Sequence, residues 1–239
     1  VRLVSMANPH IGAIAYSVIP ENYSGEIRLT SMLDGAATYG DGLRQTDVTD
    51  RARADDYIAL EVRTRQSGIT IAEAAWHQFV SRDGESEARV RLIEPEGAIG
   101  LEYSFAVELG RCYTLEKVVG LDTSLRESHP AASAIAHAVG APDFARLERE
   151  HVSAWRAYWV DADIRIAGDR FVQTMARFFV FQLLQAASLH NVSMGLSASI
   201  PAKTMSGPGY NGHVFWDTEI YMLPFFSQQY REVASQLSI

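Results

Sequence analysis

The spacing of apolar and polar positions changes near residue 125. Before it, short segments alternate with a period close to two. "IGAIAYSVI" (11–19) and "GEIRLTSML" (25–33) alternate loosely, and "YIALEVRTR" (57–65) sets Ile58, Leu60 and Val62 on one side of a strand. "ITIAEAAWHQFV" (69–80), "EARVRLIE" (87–94), "IGLEYSFAVEL" (99–109) and "YTLEKVVGL" (113–121) continue the pattern. Turns rich in Gly, Pro, Asp and Asn separate these runs. "RDGE" (82–85) is a candidate hairpin turn, because Asp-Gly tolerates positive φ. No long helical period interrupts this half, so an antiparallel β-sandwich is expected, sheet packed on sheet.

Beyond residue 125 the period lengthens to that of a helix. "HPAASAIAHAVG" (129–140) opens on a proline and closes on a glycine, the usual helix asymmetry. In "APDFARLEREHVSAWRAYWVDADI" (141–164), Phe144, Leu147, His151, Ala154 or Trp155, and Tyr158 recur at helical spacing. Trp155, Tyr158 and Trp159 form an aromatic patch expected to pack against the sandwich. "GDRFVQTMARFFVFQLLQAASLH" (168–190) predicts a further long helix. Phe171, Met175, Phe178, Phe179, Val180, Phe181, Leu183 and Leu184 cover most of its circumference. A helix apolar nearly all round needs neighbours on several sides. That predicts an all-helical domain larger than the remaining residues can form, completed by further polypeptide or by another chain. A long Gly- and Ser-rich connection (191–215) follows, and connections of that length are often functional. Helical spacing then returns in "DTEIYMLPFFSQQYREVASQLSI", with Pro224 expected to kink or divide it.

Composition narrows the chemistry. The chain has 239 residues, a net charge of −8 and no basic tract, which disfavours a nucleic-acid partner. Its single cysteine, Cys112, provides neither an intrachain disulfide nor a thiolate metal cluster and is compatible with a reducing compartment, so a cytoplasmic location is expected. Charged or amide residues break every apolar run well short of a membrane span, and no signal-like segment opens the chain. No membrane partner is expected.

The densest chemistry lies in "GYNGHVFWDTE" (209–219), at a loop-to-helix junction. The indole of Trp216 offers a flat apolar face that suits the C–H face of a pyranose or a nucleobase, and equally suits a core. The carboxylate of Asp217 can accept from two adjacent sugar hydroxyls, or cap the following helix. Glu219 lies two positions on and does not face Asp217 on a helix. The pair is therefore a poor acid and base for an inverting glycoside hydrolase, which needs roughly 6.5–9.5 Å between carboxyls. His213 and Glu219 do not match a metal-binding spacing, His190 is remote, and no metal is expected. "GPGYNG" (207–212) has the glycine spacing of a dinucleotide loop without its βαβ context, so no nucleotide cofactor is expected. Lys203 is the one cation of this loop, either a phosphate or carboxylate contact or a solvated lysine. His10, His77, His129, His137 and His151 have no convergent partners along the chain and read as structural or surface residues.

"GHVFWDTEIYMLPFF" (212–226), preceded by "IPAKTMSGPGYN" (200–211), closely resembles the signature of glycoside hydrolase family 65. That family contains maltose, trehalose, kojibiose and nigerose phosphorylases and acid trehalases. "HVSAWRAYWVDADIRIAGD" (151–169), "FFVFQLLQAAS" (178–188) and "NYSGEIRLTSMLDG" (22–35) resemble it too, so the likeness runs along nearly the whole chain. It implies a β-sandwich over residues 1–122, incomplete at its N-terminus, a helical linker over 123–165, and the first part of an (α/α)6 barrel over 166–239. It implies that Trp216 and Asp217 line the subsite for the non-reducing glucose, with Phe215, Tyr210 and His213 beside them. Lys203 becomes a possible substrate or phosphate contact. The family's general-acid glutamate lies further along, in a motif this chain does not include, so no catalytic residue is assigned and the chain by itself is expected to be inactive.

The implied activity is part of an inverting α-glucoside phosphorylase. Its substrate would be a glucose disaccharide such as trehalose, maltose or kojibiose, and its product β-glucose 1-phosphate. Inorganic phosphate would be co-substrate, with no other cofactor. The partners expected are the disaccharide, the remainder of the polypeptide or a complementing chain, and a second copy in a homo-oligomer. An inverting trehalase-like hydrolase and a non-catalytic carbohydrate-binding or structural fragment stay open as alternatives.

Overall fold

In a computed structural model, residues 1–36, 38, 44–81, 87–195, 200–203 and 209–237 are described. The anticipated turn at 82–85 lies outside them. Nine strands run β1 (Arg2–Val4), β2 (Ile11–Val18), β3 (Gly25–Asp34), β4 (Thr46–Arg53), β5 (Ile58–Thr64), β6 (Thr70–Ser81), β7 (Arg89–Ile93), β8 (Ala98–Val107) and β9 (Tyr113–Thr123) among the described residues. They form two antiparallel sheets, one ordered β1-β2-β9-β6-β5-β4 and the other β3-β8-β7. The chain is thus a two-sheet domain followed by helices. β1 and β4 were not legible in the sequence. In "TDVTDRAR" the edge strand β4 exposes most of its side chains and presents no apolar face for a period-two pattern to register.

Alternation along β6 sorts its side chains between two cores. Ala75 joins Leu33, Ile58, Leu60 and Ile99 between the sheets. On the same face Phe79 meets Phe105 at 4.5 Å between ring centres. On the opposite face Ala72 and Ala74 pack with Ala59, Ala134 and Ala138, the last two from α1 (Pro130–Val139). Small side chains let the helix lie close to the sheet. The approach is closest at Gly120 of β9, where an added Cβ would sit 2.1 Å from the Ala134 carbonyl oxygen. Pro130 opens α1 and Gly140 closes it, as the sequence predicts.

The chain divides into two compact units, residues 1–153 and 154–239. The division falls within α2 (Phe144–Ala162). Phe144 and Leu147, early in α2, pack with Ile11, Ala13 and Val118 of the first unit. In the second unit, α3 (Arg170–Ala186) is capped by Asp169, whose carboxylate accepts from the N–H groups of Phe171 (2.9 Å) and Val172 (3.0 Å). Arg177 reaches back from α3 with a two-pronged bond to Asp163 at 2.7 and 2.8 Å, and this holds the Asp163 carboxyl below its usual range. α4 (Leu189–Ser193), α5 (Leu223–Gln229) and α6 (Arg231–Leu237) follow.

The core of this unit gathers Val180, Leu184, Ile200, Phe226, Val233 and Leu237. The aromatic patch on α2 belongs to this core, which corrects the expectation that it packs on the sandwich. Trp155 lies 5.1 Å from the Phe181 ring, and the Tyr230 hydroxyl donates to the Tyr158 carbonyl at 3.0 Å. On α3, Val180 and Leu184 are buried while Phe171, Phe178 and Phe179 face solvent, so its apolar residues do cover more than one side. Pro224 sits in the first turn of α5, where a π-helical turn (Thr218–Met222) gives way to α-helix, so it divides the helical run, and a break follows at Tyr230, between α5 and α6. Among the described residues no helix is long and apolar enough to cross a membrane.

Candidate functional site

The residues that could meet a ligand are held by two backbone anchors. Thr218 is buried, and its hydroxyl donates to the carbonyl of Ile200, itself buried in the helical core, at 2.9 Å. The Ala202 N–H donates to the His213 carbonyl at 3.4 Å, bringing the backbone next to Lys203 alongside His213. Between these anchors, residues 209–212 form one 3-10 turn. Tyr210 lies within it at φ 61°, in the left-handed region that non-glycine residues seldom adopt. Strain of this kind costs on the order of 1–3 kcal/mol and is concentrated at functional sites. Gly212 follows at φ 76°, a conformation that favours glycine.

The segment then enters a π-helical turn, Thr218–Met222, in which the Leu223 N–H bonds back to the Thr218 carbonyl. Turns of this type are rare and recur at functional sites. Just before the turn, Trp216 meets Tyr221 within it, with ring centres 5.8 Å apart. Tyr210 and Phe215 make a second aromatic pair, edge to face at 5.4 Å. Trp216 is 63% exposed, so its indole is a surface platform in this unit and not a core residue. Tyr210, His213 and Lys203 are exposed as well, and Phe215 is partly so.

Asp217 stands at the mouth of the π turn in a half-buried position. Its backbone is already helical and its side chain makes no capping bond. Helix capping, one of the two roles open to it on sequence grounds, is therefore not what this carboxylate does. Glu219 carries a buried Oε1 with no hydrogen-bond partner among the described residues. Sequence reasoning gave neither Thr218 nor Tyr221 a part in the site. A buried threonine has no pattern signal, and a ring pair five residues apart, Trp216 with Tyr221, matches neither the i+3 nor the i+4 spacing of an α-helix face.

The metal question has a separate outcome. His10 and His137, which have no convergent partners along the sequence, converge in space on the buried Asp122 of the first unit, far along the chain from the motif.

Comparison with known proteins assigns the two units to a single family. Residues 1–158 match the N-terminal domain of glycosyl hydrolase family 65, and residues 177–238 match its central catalytic domain. A kojibiose phosphorylase of Halothermothrix orenii is 30% identical over 247 residues, covering 99% of this chain and 31% of its own length. An alpha,alpha-trehalose phosphorylase of Thermoanaerobacter brockii is 29% identical over 251 residues, with 99% and 31% covered. An uncharacterized glycosyl hydrolase of Mycobacterium tuberculosis is 32% identical over 247 residues, with 99% and 18% covered. A solved structure of a candidate kojibiose phosphorylase from the human microbiome superposes with a TM-score of 0.83 at 21% identity, over 99% of this chain and 30% of that one. At that identity the likeness speaks for the fold alone. The chain spans less than a third of the length of each of these relatives.

Proposed function

The chain belongs to glycosyl hydrolase family 65, and from that membership we propose that the polypeptide carrying it is an inverting α-glucoside phosphorylase. Its substrate is a glucose disaccharide such as kojibiose, trehalose or maltose. Relatives named kojibiose and trehalose phosphorylases support this reading along the whole length of the chain. The observation that carries it is the state of the motif: an exposed indole backed by Tyr221, beside a carboxylate that caps nothing.

In the proposed reaction a glutamic acid supplied further along the polypeptide protonates the glycosidic oxygen as the bond to C1 breaks. A phosphate oxygen attacks C1 from the opposite face. The products are β-glucose 1-phosphate and the released sugar. The residues of this chain hold the glucose: Trp216 stacks on its C–H face, Asp217 accepts from its hydroxyls, and Tyr210, His213 and Phe215 flank the ring. Lys203 is a contact for substrate or phosphate. Such positioning lowers the barrier only if the geometry is rigid, and the Thr218 anchor and the π turn supply rigidity. The exposed phenylalanines of α3 are the surface that further helices of an (α/α)6 barrel would cover. A hydrolase is the second reading, in line with the Mycobacterium relative named a glycosyl hydrolase. There a carboxylate-activated water takes the place of phosphate.

Two measurements on the full polypeptide test this. Product analysis with trehalose, maltose and kojibiose, with and without phosphate, separates the readings. Phosphate-dependent release of β-glucose 1-phosphate supports the first, and phosphate-independent release of glucose overturns it in favour of the second. Asp217→Asn removes charge at constant size. Hydrogen bonds to a charged acceptor contribute about 1.5–3 kcal/mol, and about 1.4 kcal/mol is tenfold. kcat/KM should fall at least about tenfold with the limbs of the pH profile unmoved. Tm should hold, since the side chain caps nothing. Unchanged kcat/KM with lowered Tm would return Asp217 to a structural role.

A further inference from the structure

We infer that the first unit carries a binding site for a divalent transition-metal ion, formed by His10, Asp122 and His137 where α1 lies on the larger sheet. Three separate elements meet there. His10 directly precedes β2, Asp122 is near the end of β9, and His137 is in the last turn of α1. The Nδ1 of His10 lies 3.6 Å and the Nε2 of His137 3.8 Å from the same oxygen, Oδ2 of Asp122. The ligand atoms of the three residues all lie within 4.8 Å of one another.

Hydrogen bonds among the three side chains do not account for this convergence. Both distances exceed hydrogen-bond length. The carboxylate is 4% exposed and already engaged elsewhere: Oδ1 accepts the Thr123 N–H at 2.8 Å, and Oδ2 accepts the Ser133 hydroxyl at 2.6 Å. Those bonds fix its orientation in the way outer-shell partners fix a metal-binding carboxylate. The His137 ring has no hydrogen bond among the described residues. The His10 Nδ1–H donates to the Leu121 carbonyl at 3.1 Å, a bond that must give way, with loss of that proton, before Nδ1 can ligate an ion.

The geometry also sets a condition. Bonds of about 2.0–2.2 Å in a tetrahedral shell put ligand atoms roughly 3.3–3.6 Å apart, so the two His–Asp spacings need only a few tenths of an ångström of contraction, while the widest spacing in the cluster, at most 4.8 Å, needs up to about 1.5 Å. The two imidazoles, however, are stacked nearly parallel, 9° between planes with centres 4.4 Å apart. Their ring planes lie side by side, and closure on an ion turns one ring out of the stack. The side chains of His10 and His137 are 24% and 31% exposed, which leaves room for that turn and for water ligands. Two imidazole nitrogens and one carboxylate suit Zn²⁺, Co²⁺, Ni²⁺ or Cu²⁺ rather than Mg²⁺ or Ca²⁺. An ion here would clamp α1 to β9 and to the start of β2.

The test is Co²⁺ binding to the chelator-stripped full polypeptide, followed by visible absorption and by calorimetric competition with Zn²⁺. His10→Ala, His137→Ala and Asp122→Asn are compared with His129→Ala, an exposed histidine one residue before α1. The expected result is one equivalent that raises Tm, with at least tenfold weaker binding in each of the first three variants and none of that loss in His129→Ala. Metal-free circular dichroism and Tm of each variant check that it folds. Should Asp122→Asn fail to fold, the two histidine variants decide. Binding equal in wild type and the His10→Ala/His137→Ala double variant would overturn the inference, as would Mg²⁺ binding as tight as Zn²⁺.

Discussion

Replacing Gly120 by alanine tests how α1 is held on the sheet. Gly120 pairs with Ile11 and Ala74 on either side of β9. An added Cβ would lie 2.1 Å from the Ala134 carbonyl oxygen, 2.7 Å from the Ala138 nitrogen and 2.9 Å from the His137 Cβ. Two of these are backbone atoms of α1, so no side-chain rotation relieves the clash. Contact distances near 3.5 Å require the helix to retreat by about 1.4 Å at Ala134. A gap of that size forfeits about half or more of the dispersion attraction where α1 meets Ala72 and Ala74. Overpacking costs about 1–3 kcal/mol. The stiffer unfolded chain returns about 0.4–1 kcal/mol. With backbone in the clash the net loss should sit near 2 kcal/mol. Gly12→Ala is the control in the same sheet, because its nearest neighbour is the Leu3 carbonyl oxygen at 3.8 Å. It should be neutral or slightly stabilising. Urea unfolding followed by tryptophan fluorescence gives both values, with Trp76 of β6 as a probe on the helix-covered side. If the two variants fall within about 0.5 kcal/mol of each other, the close approach at Gly120 is not what docks the helix.

Thr218→Val keeps the shape and strands the Ile200 carbonyl, at a cost of about 1–3 kcal/mol, whereas Thr218→Ser keeps the bond and loses about 0.8 kcal/mol for one methyl. Urea unfolding should rank valine below serine, and disaccharide kcat/KM should follow that order; the reverse ranking would deny the anchor. Burial, with Lys117 next, pushes His77 down to about 3. Between about 3 and 6.5 the unfolded chain then binds the proton that the folded chain refuses, so this contribution to stability is complete above 6.5 and is lost as pH falls. His77→Asn should flatten the slope of stability against pH from 6.5 down to 4 by up to about 1.4 kcal/mol per pH unit, and identical slopes would refute the assignment. The purified 239-residue chain is expected to release no product from trehalose, maltose or kojibiose with or without phosphate; turnover in a preparation free of contaminating activity would show that it carries its own acid.

The local pattern determined the elements whose two faces differ. β6 reads correctly because alternation puts Ala75 and Phe79 on one side and Ala72 and Ala74 on the other. α1 reads correctly because Pro130 and Gly140 act within a few residues of chain. The Trp216-Asp217 motif was legible as a dense run of aromatic and carboxylate side chains at a loop-to-helix junction, and its family resemblance lay in the same contiguous residues. What sequence could not decide was anything set by distant neighbours. β4 has no apolar face, so only its pairing with β5 reveals it. The partners of Trp155 depend on where Phe181 arrives. Whether Asp217 caps a helix depends on the dihedral angles of the π turn, which one stretch of side chains does not encode. His10, Asp122 and His137 are scattered along the chain; the pairing of β2 with β9 brings the first two together, and the docking of α1 through the gap left by Gly120 adds the third. Periodicity and caps are written within one or two turns of backbone; convergence is written in packing, where the relevant neighbour is near in space and remote in sequence.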